Sequence, residues 1–278
     1  MNIFAENTFL FGIAGFLCCI KGSKELIDLI PLTWKVFQGG SQGQILLNLE
    51  QEHFGNDACM KEGWMFHNSG QLQQAMYVQD GKVLFSLQQV ADHEIKIRIA
   101  IAKERYVRLG ILYGILLALK HQCVGLHGVT LLCGDEIIIL SAPSGTGKTT
   151  LAHLLEKYCD AIVINGDFAL LDPMSEGVIF EPTPFCGTSG RGLNYRVLVN
   201  RVVFLEQSLN NQWNQMNGRE AISWFMNNTF IPTWNKEAQL ITQSNIMKCI
   251  SFLTVNQFSF APTREAAELF LNQICASK

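Results

Sequence analysis

An α/β fold is the expectation for this chain of 278 residues, with a β-rich N-terminal lobe over 1–100 and a mixed-sheet domain over 101–278, the two packed as one unit. Three patterns lead there. Apolar runs broken by turn signals fill the first hundred positions and read mainly as strands. Apolar residues Val107, Ile111, Leu112, Ile115, Leu116 and Leu119 recur at helical spacing across Lys103–Lys120. Between Glu136 and Tyr158 an apolar strand, a glycine-rich loop and an amphipathic helix then follow one another.

Composition narrows the class. Apolar residues make up 48 % and charged residues 16 %, the balance of a buried, sheet-rich protein rather than a disordered one. The formal charge is −3 and no stretch collects Lys and Arg, so nucleic acid and an anionic membrane lack the basic footprint they require. Phe9–Ile20 is mostly apolar but spans only 12 residues, too few to cross a bilayer. No Lys or Arg precedes it, so it also lacks the start of a signal peptide; it reads as a buried strand or hairpin. The nine cysteines, Cys18, Cys19, Cys59, Cys123, Cys133, Cys159, Cys186, Cys249 and Cys275, are odd in number and form no Cys-x-x-Cys pair. Neither a disulfide framework nor a zinc site is expected from them. Cys123, Cys133 and Cys249 lie in apolar runs and behave as small buried hydrophobes, and a reducing cytoplasm is the expected location.

Local turn chemistry organises the rest. Asp80-Gly81 between the apolar runs of Met76–Leu87 is a two-residue hairpin signal. Leu126–Cys133 and Glu136–Ala142 are separated by Gly134-Asp135, and Gly at the first central position suits a type II′ turn. With that turn length Cys133 faces Glu136, and the register carried back sets His127 opposite Ala142. Ala161–Ile164 reads as the closing strand of a βαβ unit, which brings both strand ends to one edge. Arg219–Asn227 and Thr263–Ala276 read as helices, and the last seventy or so residues carry no legible motif.

The chemistry concentrates in one loop. Ala142-Pro143-Ser144-Gly145-Thr146-Gly147-Lys148-Thr149 matches the Walker A pattern except for Ala in place of the first Gly. Small residues let successive backbone N–H groups curl around phosphates at a helix N-terminus. Residues 142–150, including Thr150 in the first helical turn, are therefore the expected ATP contacts. Lys148 would reach the β- and γ-phosphates and the Thr149 hydroxyl would hold magnesium. The bland alternative is a glycine-rich turn with no ligand. Asp167, after Ile164-Asn165-Gly166, is placed to meet magnesium or the attacking nucleophile, against the alternative of a strand-end turn cap. In the small-residue run Pro182–Gly192, Arg191 is the one positive charge and would stabilise a transferring phosphoryl group, or else lie solvated on an ordinary loop. Asp172 reads as a turn residue beside Pro173. His53, His67, His93, His121 and His153 read as structural or exposed.

Leu126-His127-Gly128-Val129, the two-residue turn, the Walker-type loop and Ile164-Asn165-Gly166-Asp167 together resemble the HPr kinase/phosphorylase family. The likeness is closest to its shorter relatives, the peptide kinases found beside lasso-peptide and other ribosomal-peptide clusters. Pro184–Gly187 and Phe204–Gln207 resemble their Pro-Phe-x-Gly loop and Phe-Leu-Glu-Gln strand. The match covers about 80 residues. The resemblance implies a PEP carboxykinase-like mixed sheet with a P-loop hairpin, and transfer of the ATP γ-phosphoryl group to a Ser or Thr hydroxyl of a small protein or peptide, in a bacterial cytoplasm. In that carry-over His127 orients the phosphate or its acceptor and Asp167 is metal ligand or base. The family has two adjacent Asp residues at this strand end, and the first corresponds to Gly166 here. The base would then be Asp167 or His127, or the chain would bind nucleotide without efficient transfer. A homo-oligomer is compatible with the sequence.

Overall fold

The computed structural model describes residues 7–37, 42–54, 63–69, 72–120, 122–187, 190–232 and 235–276, and the chain divides into two units, Met1–His121 and Gln122–Lys278. In the first, β1 (Asn7–Ile13) and β2 (Phe16–Gly22) form the hairpin expected at Phe9–Ile20, turning through Ala14 and Gly15, both at positive φ. There follow α1 (Lys24–Ile27), a 3-10 turn (Leu32–Val36), β3 (Gly43–Gln51), β4 (Gly63–Ser69), β5 (Leu72–Gln79), β6 (Lys82–Ala91), β7 (Glu94–Ile99) and α2 (Glu104–Ala118). The sheet order is β1-β2-β3-β7-β6-β5-β4. Asp80-Gly81 makes the β5–β6 turn as the dipeptide implies, pairing Gln79 with Lys82. α2 buries Val107, Ile111 and Ile115 against β3, β6 and β7, so this helix belongs to the first of the two units.

The second unit runs β8 (Val124–Cys133), β9 (Glu136–Ser141), α3 (Lys148–Cys159), β10 (Ile162–Asn165), β11 (Phe168–Met174), β12 (Gly177–Glu181), β13 (Val197–Val199), β14 (Arg201–Gln207), β15 (Gln212–Gln215), α4 (Gly218–Asn228), α5 (Lys236–Phe252), β16 (Thr254–Phe260) and α6 (Arg264–Ala276). Its mixed sheet has the order β13-β12-β11-β8-β9-β14-β16-β15, with β10 also paired to β8. β9, β14 and β16 are parallel neighbours. The apolar runs of β9 and β14 are continuous rather than alternating because both faces are covered. Ile138, Leu140, Val203 and Leu205 enter a core with Leu151 and Leu155 of α3 and Phe270 of α6. Ile137, Ile139, Val202 and Phe204 enter the opposite core with Phe225 of α4 and Ile246 of α5.

Two local expectations change. β10 spans Ile162–Asn165 and does not pair with β9; it runs antiparallel to β8, which is antiparallel to β9. β10 therefore points the same way as β9 with β8 inserted between them, and the two carboxyl ends still share an edge. Asp172 is a strand residue, opposite Ile179, and the turn comes after Met174. Pro173 is tolerated because β8 accompanies β11 only as far as Leu171, leaving one side of β11 unpaired at that level. Helix α5 had no amphipathic signature because its buried face includes Thr242 and Asn245, each satisfied by a backbone carbonyl, of Ala238 and Gln122. The eight cysteines among the described residues are free thiols, and Cys59 and His121 lie outside those residues. No helix among the described residues is long and apolar enough to cross a membrane.

Candidate functional site

The β8–β9 register runs without a bulge from Cys133↔Glu136 to Gly128↔Ser141. Gly134 has φ +60° and Asp135 is not left-handed, the backbone of the type II′ turn. His127 thus lies one step beyond the last pair, level with Ala142, and its carbonyl accepts a hydrogen bond from Ser141 Oγ at 2.8 Å. Val129, Leu131 and Cys133 share its side of β8 and pack into the core under α3 and α6, so alternation sets His127 on the α3 face.

The loop then curls through Gly145 (φ +83°) and Gly147 (φ +101°), and Gly147 is the N-cap of α3. The bond from Leu151 N–H to Gly147 O, 2.9 Å, closes the first helical turn, which leaves the amides of Lys148, Thr149 and Thr150 without a partner inside the helix. An anion at this position would meet those amides and the positive end of the helix dipole. Ala142 is fully buried while Pro143, Ser144 and Gly145 are exposed. Lys148 is only 7 % exposed, and its Nζ donates to Ala142 O at 2.8 Å and Pro143 O at 3.1 Å. Burial lowers its pKa from the ordinary 10.5, against the opposing pull of Asp167. Thr149 and Thr150 are exposed.

Asp167 is held from three sides. Its carbonyl accepts from Gly128 N–H of β8 at 2.9 Å. Asn165 Oδ1 accepts from the amides of Asp167 and Phe168 at 3.0 and 3.1 Å, while Asn165 Nδ2 donates to Thr183 O and Oγ1 at 3.0 and 3.2 Å. Gly187, at φ +59°, packs so closely that a Cβ there would come within 2.8 Å of the Asp167 side chain. The Asp167 carboxylate consequently faces His127, with Oδ1 3.6 Å from Nδ1. Burial, then the Lys148 ammonium, hold the His127 imidazole below its ordinary 6.5, and Asp167 pulls the other way. Lys148, His127 and Asp167 therefore form one electrostatic cluster where β9 gives way to α3.

Arg191 is placed differently. Its carbonyl accepts from Gly166 N–H at 3.1 Å, beside Asp167, but Nη1 contacts both oxygens of Glu156 on α3 at 2.5 and 2.7 Å. The guanidinium is thus engaged along α3 rather than turned to the start of the loop. Thr188 and Ser189 of the same run lie outside the described residues. Asp172 and Glu181, whose carboxyls burial pushes up, sit near Cys123 and Arg196, away from this cluster. His93 Nδ1 meets Ala118 O at 2.6 Å within the first unit, and His153 meets Glu156 on the exposed face of α3. Among the described residues no three His, Cys, Asp or Glu side chains converge on a metal position. Asn165 and Gly187 carry structural weight that sequence reasoning did not assign; the clue was an Asn two residues before an Asp, the spacing of an Asx turn.

No family model matches the chain, and no curated protein matches it in sequence. Among solved structures, the Hpr(Ser) kinase/phosphatase from Coxiella burnetii is a weak neighbour, with a TM-score of 0.33 and 11% identity over 55% of this chain and 89% of that one. A likeness at that level does not define function, so the functional reading rests on the geometry of the loop and its three polar neighbours.

Proposed function

We propose that the chain is an ATP- and magnesium-dependent phosphotransferase acting on a Ser or Thr hydroxyl of a small protein or peptide, on a PEP carboxykinase-like core. The observation that carries this reading is the convergence of Lys148, His127 and Asp167 at a positive-φ glycine loop that caps a helix. The loop fits a triphosphate: its amides and Lys148 supply donors and charge where phosphates would lie. Magnesium fits as well, because it usually takes one or two protein oxygens and completes its shell with phosphate and water. Thr149 and Asp167 would provide those oxygens, and the ion would screen charge on the phosphoryl group. The Asp167–His127 pair would receive the acceptor's hydroxyl proton as the acceptor oxygen bonds to γ-phosphorus and the bond to the ADP oxygen breaks. An imidazole held neutral by burial and Lys148 is suited to accept that proton. Arg191 would join the transferring group only after leaving Glu156.

The test is transfer from γ-labelled ATP with magnesium to a panel of Ser- and Thr-containing peptides, read by mass spectrometry, with Lys148→Ala as control. Labelled acceptor with the wild type and none with the control supports the reading. A second reading, ATP binding without efficient transfer, is favoured by Gly166 where the resembled family has an acid. Tight ATP binding with no labelled acceptor across the panel would select it.

A further inference from the structure

The phosphate loop has two unlike flanks. On the β8 side stand His127 and Asp167, both polar and partly exposed. On the other side the sheet continues through β14 and β16, and the register sets Phe204 level with Ser141 and Gln207 level with Phe260. Both strands therefore run three residues past the level where β9 ends, about 10 Å at the usual rise per residue. They form a wall beside the loop. Between this wall and the first turn of α3 lies a cleft of about 460 Å³, bordered by Gly147, Thr150, Gln207, Leu209, Phe260 and Pro262. That is within the size range of small-molecule sites, roughly 300–1,000 Å³.

The lining is apolar where a flat ring would rest. Phe260 closes the inner end of the cleft but is only 2 % exposed, packed on Phe258 at 5.6 Å and 7° and within 3.2 Å of where a Gly147 Cβ would sit, so the accessible apolar lining is the rim. Leu209 is 96 % exposed and forms the rim with exposed Pro262. A lone exposed Leu needs no explanation, but this one overhangs a cleft at the carboxyl edge of parallel strands, where α/β sheets bind ligands. Gln207 Nε2 donates to Gly145 O at 3.2 Å, tying the wall to the phosphate loop.

We infer that this cleft seats the nucleoside of a nucleoside triphosphate whose phosphates lie in the loop, so the ligand crosses the sheet edge with its base against Leu209 and Pro262 and its terminal phosphate toward His127 and Asp167. The inference rests on the nucleotide reading above and adds the seat and direction of the ligand. A nucleoside triphosphate has one apolar end and one charged end, and of its two orientations only this one matches the two flanks of the loop. Burial of the base against this apolar rim makes ATP bind about tenfold more tightly than a chain of phosphates alone.

Calorimetry on the full chain with magnesium compares ATP with inorganic tripolyphosphate, for the wild type and for the double variant Leu209→Ser/Pro262→Ser, two exposed positions outside the core. The expected result is a roughly tenfold preference for ATP in the wild type. In the variant ATP weakens about fivefold while tripolyphosphate stays within about twofold. Equal affinities in the wild type, or an unchanged preference in the variant, would overturn the assignment of this cleft while leaving the loop as a phosphate site. Binding of neither ligand would overturn the nucleotide reading, and the cleft assignment with it.

Discussion

Gly147→Ala separates what the loop's backbone demands from what its neighbours demand. At φ +101° Gly147 lies beyond the left-handed basin near +50 to +70° that other residues can enter; Asp160, at φ +53°, stays inside it. An L-residue in left-handed conformation costs about 1–2 kcal/mol, and the upper end applies here. The added Cβ would also press on Phe260 Cζ at 3.2 Å, in a ring already fixed against Phe258, and such overpacking costs about 1–3 kcal/mol. Lower entropy of the unfolded chain returns about 0.4–1 kcal/mol, for a net loss of about 2–4.5 kcal/mol. At about 2–4 °C per kcal/mol for chains of roughly this size, the melting temperature should fall by about 4–18 °C. Gly145→Ala supplies the control: φ is +83° but no atom lies within 4 Å of the new Cβ, so the backbone and unfolded-chain terms apply without the packing one, for a net loss of about 0–1.6 kcal/mol. Differential scanning fluorimetry without nucleotide measures both. A fall in Gly147→Ala no greater than in Gly145→Ala would refute the role given to Phe260, and a wild-type melting point for Gly147→Ala would refute the whole calculation.

Other outcomes follow from the cluster. ATP with magnesium should raise the melting temperature, since a ligand of the folded state stabilises it by mass action, and Lys148→Ala should remove most of that rise; an undiminished rise would place the nucleotide elsewhere. Asp167→Asn should cut transfer by about a hundredfold, the scale of a positioned acid–base group, while calorimetry finds ATP still bound through the loop. The His127 imidazole, followed by NMR, should titrate below 6.5; Lys148→Met should raise its midpoint and Asp167→Asn should lower it. Because the folded midpoint is depressed, the unfolded chain takes up this proton first as pH falls. His127 therefore removes stability as pH drops below about 6.5 and through its folded midpoint, and His127→Gln should flatten the stability profile across that window.

The hairpin was legible because turn length fixes register: Gly134-Asp135 alone set His127 level with Ala142. The tight turn leading into α3 was legible because Gly145 and Gly147 stand where the backbone must take positive φ. The position of β8 between β9 and β10 was not, since β10 is a short apolar run with no mark of its partner, and pairing is decided by distant residues such as Leu131 and Leu132. The Arg191–Glu156 pair was likewise hidden, because it joins residues 35 apart through a loop whose path no local signal sets. The wall of β14 and β16 beside the loop depends on how far two parallel strands outrun a third, which only tertiary pairing determines.

Asn165 explains how one carboxylate is aimed where the resembled family has two. Its side chain is 1 % exposed and works on both sides of the turn. Oδ1 caps the amides of Asp167 and Phe168, and Nδ2 reaches Thr183, ahead of the segment that presses Gly187 against Asp167. Asn165→Ala would leave those two amides without their acceptor and Thr183 without its donor. Each buried group so orphaned costs about 1–3 kcal/mol, and partial relaxation makes a total of about 3 kcal/mol reasonable. The consequence for function is separate from that loss. With Gly166 in the middle of the turn there is little local stiffness to keep the Asp167 carboxylate facing His127, so the imidazole should lose its Asp167 partner and titrate lower in Asn165→Ala than in the wild type. A variant destabilised by about 3 kcal/mol whose His127 midpoint stays put would show that Gly128 and Gly187 alone aim Asp167. A lowered midpoint at a temperature where the chain remains folded would identify Asn165 as the residue that positions Asp167 toward His127.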